Sequence, residues 1–129
     1  SLNKIKFVNL EVNCGSTENT TASLTLSVDD KQINQTDTGN GPVDAIFNAI
    51  RHIIPHNARL DLYQVHSVTK GTDAQAEVTV RLEDQQGRIV SGHPSHTDTM
   101  VASAKSYISA LNKMFKRDSE KPIAQNISI

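Results

Sequence analysis

The sequence predicts an α+β domain made of two consecutive βββα units, each with an antiparallel three-stranded sheet. Three observations carry that expectation. Segments with apolar residues at near-alternate positions occur twice in groups of three, and each group ends in a glycine-containing break followed by apolar residues at helical spacing. The third is a repeat: Ala22-Ser-Leu-Thr-Leu-Ser-Val-Asp-Asp30 and Ala76-Glu-Val-Thr-Val-Arg-Leu-Glu-Asp84 share the order Ala, any residue, aliphatic, Thr, aliphatic, any residue, aliphatic, acid, Asp. An internal duplication accounts for it, with units at about 3–56 and 58–116.

In the first unit, Ile5, Phe7, Leu10 and Val12 alternate after a slip at Val8, which predicts a strand over 5–12. Asn13 to Thr20 read as a turn. Ala22, Leu24, Leu26 and Val28 predict a second strand, Asp29-Asp30-Lys31 a hairpin loop, and Lys31 to Thr36 a shorter third strand. Gly39-Asn40-Gly41-Pro42 stops the alternation. Val43, Ile46, Phe47, Ile50, Ile53 and Ile54 then recur as a helix face, with Pro42 at the first helical position and Pro55 ending the run.

The second unit repeats the order. Strands are expected at Leu60 to Thr69, Ala74 to Glu83 and, after the turn Asp84 to Gly87, Arg88 to Ser91. Gly92-His-Pro-Ser-His-Thr97 forms the break. Met100, Val101, Ala104, Ile108, Leu111 and Phe115 then give a helix, with Thr97 or Asp98 as its N-cap. Periodicity ends after Arg117, so 1–116 is expected to be one domain and 117–129 a loosely held tail.

Length and composition exclude several classes of function. At 129 residues, with 36% hydrophobic and 21% charged residues, the chain is one ordinary globular domain. Thirteen Lys and Arg against fourteen Asp and Glu leave a net charge of −1 without long charge runs, so no nucleic acid is expected as a partner. No apolar run is long enough to cross a membrane. A lone cysteine, Cys14, and no signal-peptide pattern predict a cytoplasmic protein.

No catalytic set emerges. His52 and His56 are four apart across Pro55, His93 and His96 three apart, and the only thiol is remote in sequence from all four, so no metal site is expected. Cys14 has no flanking base and reads as a structural or surface thiol. The two breaks are more informative. Gly39 and Gly41 leave a helix start open to a carboxylate, although glycine there also satisfies a simple turn. Asp98, before the second helix, can cap it or pair with an ammonium group. Together the two ends fit a small zwitterion such as an amino acid.

Four motifs then appear in one order. They are Gly39-Asn-Gly-Pro-Val-Asp-Ala45, Leu60-x-Leu-Tyr-x-Val65, Gly71-Thr-Asp-Ala-Gln-Ala-Glu-Val78, and Gly92 with Thr97-Asp-Thr-Met-Val-Ala-Ser-Ala104 and Ser109-Ala-Leu-Asn112. Over about residues 20–116 the chain resembles the C-terminal regulatory domain of 2-isopropylmalate synthase; citramalate synthase has a similar domain. The resemblance implies a homodimeric module that binds leucine and inhibits a catalytic TIM barrel elsewhere in the full-length chain. That barrel would hold the divalent metal and use acetyl-CoA, so the 129 residues would carry neither cofactor and no enzyme activity. By motif position the effector pocket would include Gly39, Gly41, Asp44, Leu62, Tyr63, His66, Ala74, Ala76, Pro94, Thr97 and Asp98. Alternation nevertheless puts Leu62 and His66 on one strand face and Tyr63 on the other. An isoleucine-binding domain of a citramalate synthase and a dimerisation module without ligand are the competing readings.

Overall fold

The structure is a computed structural model that describes residues 4–15 and 19–119. Its elements are β1 (Ile5–Asn13), β2 (Thr20–Val28), β3 (Lys31–Gly39), α1 (Pro42–Ile53), β4 (Arg59–Lys70), β5 (Asp73–Glu83), β6 (Ile89–Gly92), β7 (Ser95–His96) and α2 (Thr99–Ser119). The α+β class and the repeated βββα order are as expected from sequence. The slip at Val8 is a β-bulge between Phe7 and Asn9, which returns Leu10 and Val12 to the core face.

β1, β2 and β3 form one antiparallel sheet in that order, and β4, β5 and β6 form the other, with β7 also on β5. β3 runs three residues further than its apolar pattern indicates, because pairing with β2 continues through Thr20 opposite Gly39. Polar residues hold that extension: the His52 imidazole and the Gln35 amide both meet the Asp37 carboxylate, at 2.8 and 3.1 Å.

The third strand of the second unit is split. The expected break at 92–97 contains β7, and β7 keeps the register of β6: Val80 faces Gly92 and Ala76 faces His96, so the partners advance residue for residue. Pro94 causes the interruption. Its carbonyl accepts the Val78 N–H at 3.2 Å, but a proline has no N–H to return to the Val78 carbonyl. The buried Ser106 hydroxyl of α2 takes that place, 2.5 Å from Val78 O and 2.7 Å from Ala102 O.

One core joins the units. Ala22, Leu24 and Leu26 of β2 and Val78, Val80 and Leu82 of β5, the two copies of the repeated pattern, are buried against α1 and α2. α2 lies so close to β6 that a Cβ on Gly92 would sit 2.8 Å from the Ser109 Cβ. The same helix reaches the first sheet: the Asn112 side-chain amide accepts the Ile5 N–H and donates to the Ile5 carbonyl, both at 2.8 Å. α2 continues through Ser119, beyond the expected end of the domain, and near its end Asp118 pairs with Arg88 at 2.9 Å. The rest of the expected tail, 120–129, lies outside the described residues. No described helix is long and apolar enough to cross a membrane.

Candidate functional site

At the start of α1 the two glycines differ. Gly39 is buried, and a Cβ on it would lie 2.8 Å from Ala45 Cα and Asp44 C, so the packing of β3 on the helix demands glycine. Gly41 is the N-cap residue with φ −168° and ψ 177°, an extended conformation open to any residue, and a Cβ there meets nothing within 4 Å. Neither space nor backbone angle explains it. No side chain caps α1 at this residue, and the Asp44 carboxylate turns back to accept the Asn40 N–H at 3.0 Å.

At the start of α2 the cap is Asp98. Its Oδ1 accepts N–H groups from Met100 at 2.8 Å and Val101 at 3.4 Å, and its own N–H donates to His96 Nδ1 at 2.9 Å. Thr97 is exposed between β7 and the helix. Pro94 lies apart, in a cleft between β1 and α2.

The second sheet divides the remaining residues between its two faces. Tyr63 faces Val80, Ser67 faces Ala76 and Thr69 faces Ala74, so these residues share the side that α2 covers. The Tyr63 hydroxyl donates to Ser103 Oγ at 2.8 Å, since that serine hydroxyl already donates to Thr99 O at 2.8 Å. Its ring meets Phe47 of α1 edge-on, with centroids 5.7 Å apart. Leu62 and His66 pair with Arg81 and Glu77 on the opposite face. His66 is exposed there, and its Nε2 is 3.3 Å from Gln64 Oε1. Within one chain, a single small molecule cannot touch Tyr63 and His66 together.

The structure thus brings Tyr63, Ala74 and Ala76 to one face, and Phe47 links that face to α1. Val65, Ser67 and Ser103 belong with them and are absent from the sequence-derived set. The signal for the first two was present, two and four positions from Tyr63 on a strand. Val65 is 45% exposed on this face although it is a large aliphatic residue.

The histidines have local partners. His52 bonds Asp37, His93 Nδ1 lies 3.3 Å from the Thr79 hydroxyl, and His56 sits between Ala58 N–H on Nδ1 at 3.1 Å and the Tyr107 hydroxyl on Nε2 at 2.8 Å. Burial pushes the His56 imidazole below its ordinary 6.5, and the Arg51 guanidinium adds to the effect. Burial likewise raises the Tyr107 phenol, against the opposing influence of Arg51. Among the described residues no group of three His, Cys, Asp or Glu side chains is arranged to hold a metal ion.

The two βββα units, with a small-residue sheet face and two differently finished helix starts, define a paired α+β module. Residues 1–115 match the model of the LeuA allosteric (dimerisation) domain, and the chain belongs to that family. The relatives it matches include 2-isopropylmalate synthases. Those of Afipia carboxidovorans, Caulobacter vibrioides and Rhodopseudomonas palustris are 51%, 54% and 50% identical over 94%, 88% and 96% of this chain. The chain spans only 23%, 21% and 24% of their respective lengths.

Proposed function

We propose that this chain is the leucine-sensing regulatory domain of a 2-isopropylmalate synthase and carries feedback inhibition to a catalytic TIM barrel outside these residues. The metal and acetyl-CoA chemistry belongs to that barrel. The observation that carries the reading is the match of residues 1–115 to a domain described as allosteric and dimerising. Geometry supports a pocket on the Tyr63 face: Ala74 and Ala76 leave room for a branched aliphatic side chain, and Val65 offers apolar contact. The carboxylate of the amino acid meets the open start of α1 at Gly41, and Asp98 meets its ammonium group. Exposed Val65 also favours a homodimer that covers this face. Light scattering at tens of micromolar should give the dimer mass, and a monomer would refute that part.

Leucine at a hundredfold excess over its dissociation constant should stabilise the fold by about 2.7 kcal/mol and raise the melting temperature by several degrees. Isoleucine should do less and lysine nothing. A flat response to all three favours a dimerisation module without ligand, and a stronger response to isoleucine favours a citramalate synthase. Because a methyl group at Gly41 fits the fold, Gly41→Ala should cost under about 1 kcal/mol of stability and weaken leucine binding about tenfold, or about 1.4 kcal/mol, in calorimetry.

A further inference from the structure

A second surface, between β1 and α2 and not on the Tyr63 face, combines three features. Between the edge strand β1 and helix α2 runs a cleft of about 440 Å³, with an apolar floor from Phe7, Pro94 and Ile108 and the lysines Lys6, Lys105 and Lys113 around it. None of the ion pairs among the described residues uses these lysines. Lys105 Nζ stands 5.6 Å from the Phe7 ring centroid, and Lys113 Nζ donates to Ser91 O at 2.5 Å. The chain as a whole has a charge of −1, so the cationic character is local.

The third feature is the backbone of β1. β1 is an edge strand, and the Ile5 N–H and carbonyl point away from β2 into the amide of Asn112, which stands where the peptide group of a further strand would stand. Two residues on, in the same phase of the ladder, Phe7 presents its peptide groups to the same side, above the cleft.

We propose that this groove docks an extended polypeptide segment with alternating carboxylate and apolar side chains, added to β1 beside Phe7. Spacing favours a segment over a small carboxylate. Lys105 and Lys113 are eight residues apart on one helix, about 12 Å along its axis, which one carboxylate cannot bridge. Five extended residues at about 3.3 Å each put their first and fifth side chains on one side about 13 Å apart, so carboxylates there match that length. The backbone edge then supplies register and the lysines select acidic side chains. This surface lies outside the proposed effector pocket, so it stands or falls independently of leucine binding.

The test uses a dansylated hexapeptide of alternating glutamate and valine, capped at both ends, titrated against the 129-residue chain with amide NMR and fluorescence anisotropy. Shifts should centre on Phe7, Lys105 and Lys113. Lys105→Glu and, on the exposed strand position, Lys6→Glu should each weaken binding at least tenfold, with the melting temperature unchanged; Lys70→Glu at the β4–β5 tip should leave it unaltered. A peptide N-methylated at its central valine should also lose at least tenfold. Equal binding of a lysine-valine peptide, the same shifts with butyrate alone, or concentration-dependent shifts at Phe7 without any peptide would each overturn the proposal.

Discussion

At the start of α2 the Asp98 carboxylate accepts two backbone N–H groups of the first turn, whereas at the start of α1 the equivalent residue is Gly41 and no side chain caps the helix. The third strands differ in the same sense. β3 pairs with β2 through nine consecutive residues, and its counterpart is cut by Pro94 and repaired by the Ser106 hydroxyl. The second unit thus uses a side chain at both features, Asp98 at the helix start and Ser106 at the cut strand, where the first unit has backbone alone. The difference teaches where selection other than folding acts. Gly39, Asp98 and Ser106 have structural reasons in the fold, but Gly41 has none, and it is the position at which a ligand reading adds something that packing does not.

Substitutions at four positions break or sharpen the comparison. The largest effect should come from Gly39→Ala, which forces a methyl group into the backbone of Asp44 and Ala45 and should cost about 3 kcal/mol in urea unfolding. That contrasts with the small effect expected at Gly41, two residues away. Ser106→Ala removes the one side-chain donor, among the described residues, to the carbonyl that Pro94 leaves unpaired. A loss of about 2 kcal/mol is expected, and a loss below about 0.5 kcal/mol would mean that Val78 O finds water instead.

Asp98→Ala should cost about 1 kcal/mol and Asp98→Asn only a few tenths, since asparagine caps as well as aspartate does. Equal losses would show that charge, not capping, is what the fold needs there. The smallest effect concerns acid. His56 has its pKa depressed in the folded state, so the unfolded chain takes up the proton first and stability falls as pH drops below 6.5 toward the folded value. His56→Gln should remove that component, seen as a flatter dependence of melting temperature on pH between 7 and about 5. An unchanged slope would assign the acid sensitivity elsewhere.

Most of the fold was legible because alternation and helical spacing are periodic signals. The pattern shared by β2 and β5 located both central strands, and the buried aliphatic residues Leu24, Leu26, Val78 and Val80 are the ones it marks. The extension of β3 was not legible: Asp37 and Thr38 are held by partners, not by their own propensity. β7 was hidden because Pro94 reads as a breaker, although the ladder loses only one N–H there. At the candidate site, motif position supplied Tyr63, Ala74 and Ala76 but also Leu62 and His66, which the register sends to the other face. A motif records neighbours in sequence, whereas a strand separates neighbours in space.

The bond between Asn112 and Ile5 ties the described fold's first strand to its last helix across 107 residues. On a ribosome adding about 5–20 residues per second, β1 emerges roughly 5–20 s before the helix that completes its edge. During that interval the peptide groups of Ile5 are open to any passing strand. The first unit, though it contains a full βββα set, is therefore a nascent-chain species with an unfinished border, and its safe passage depends on how quickly α2 arrives.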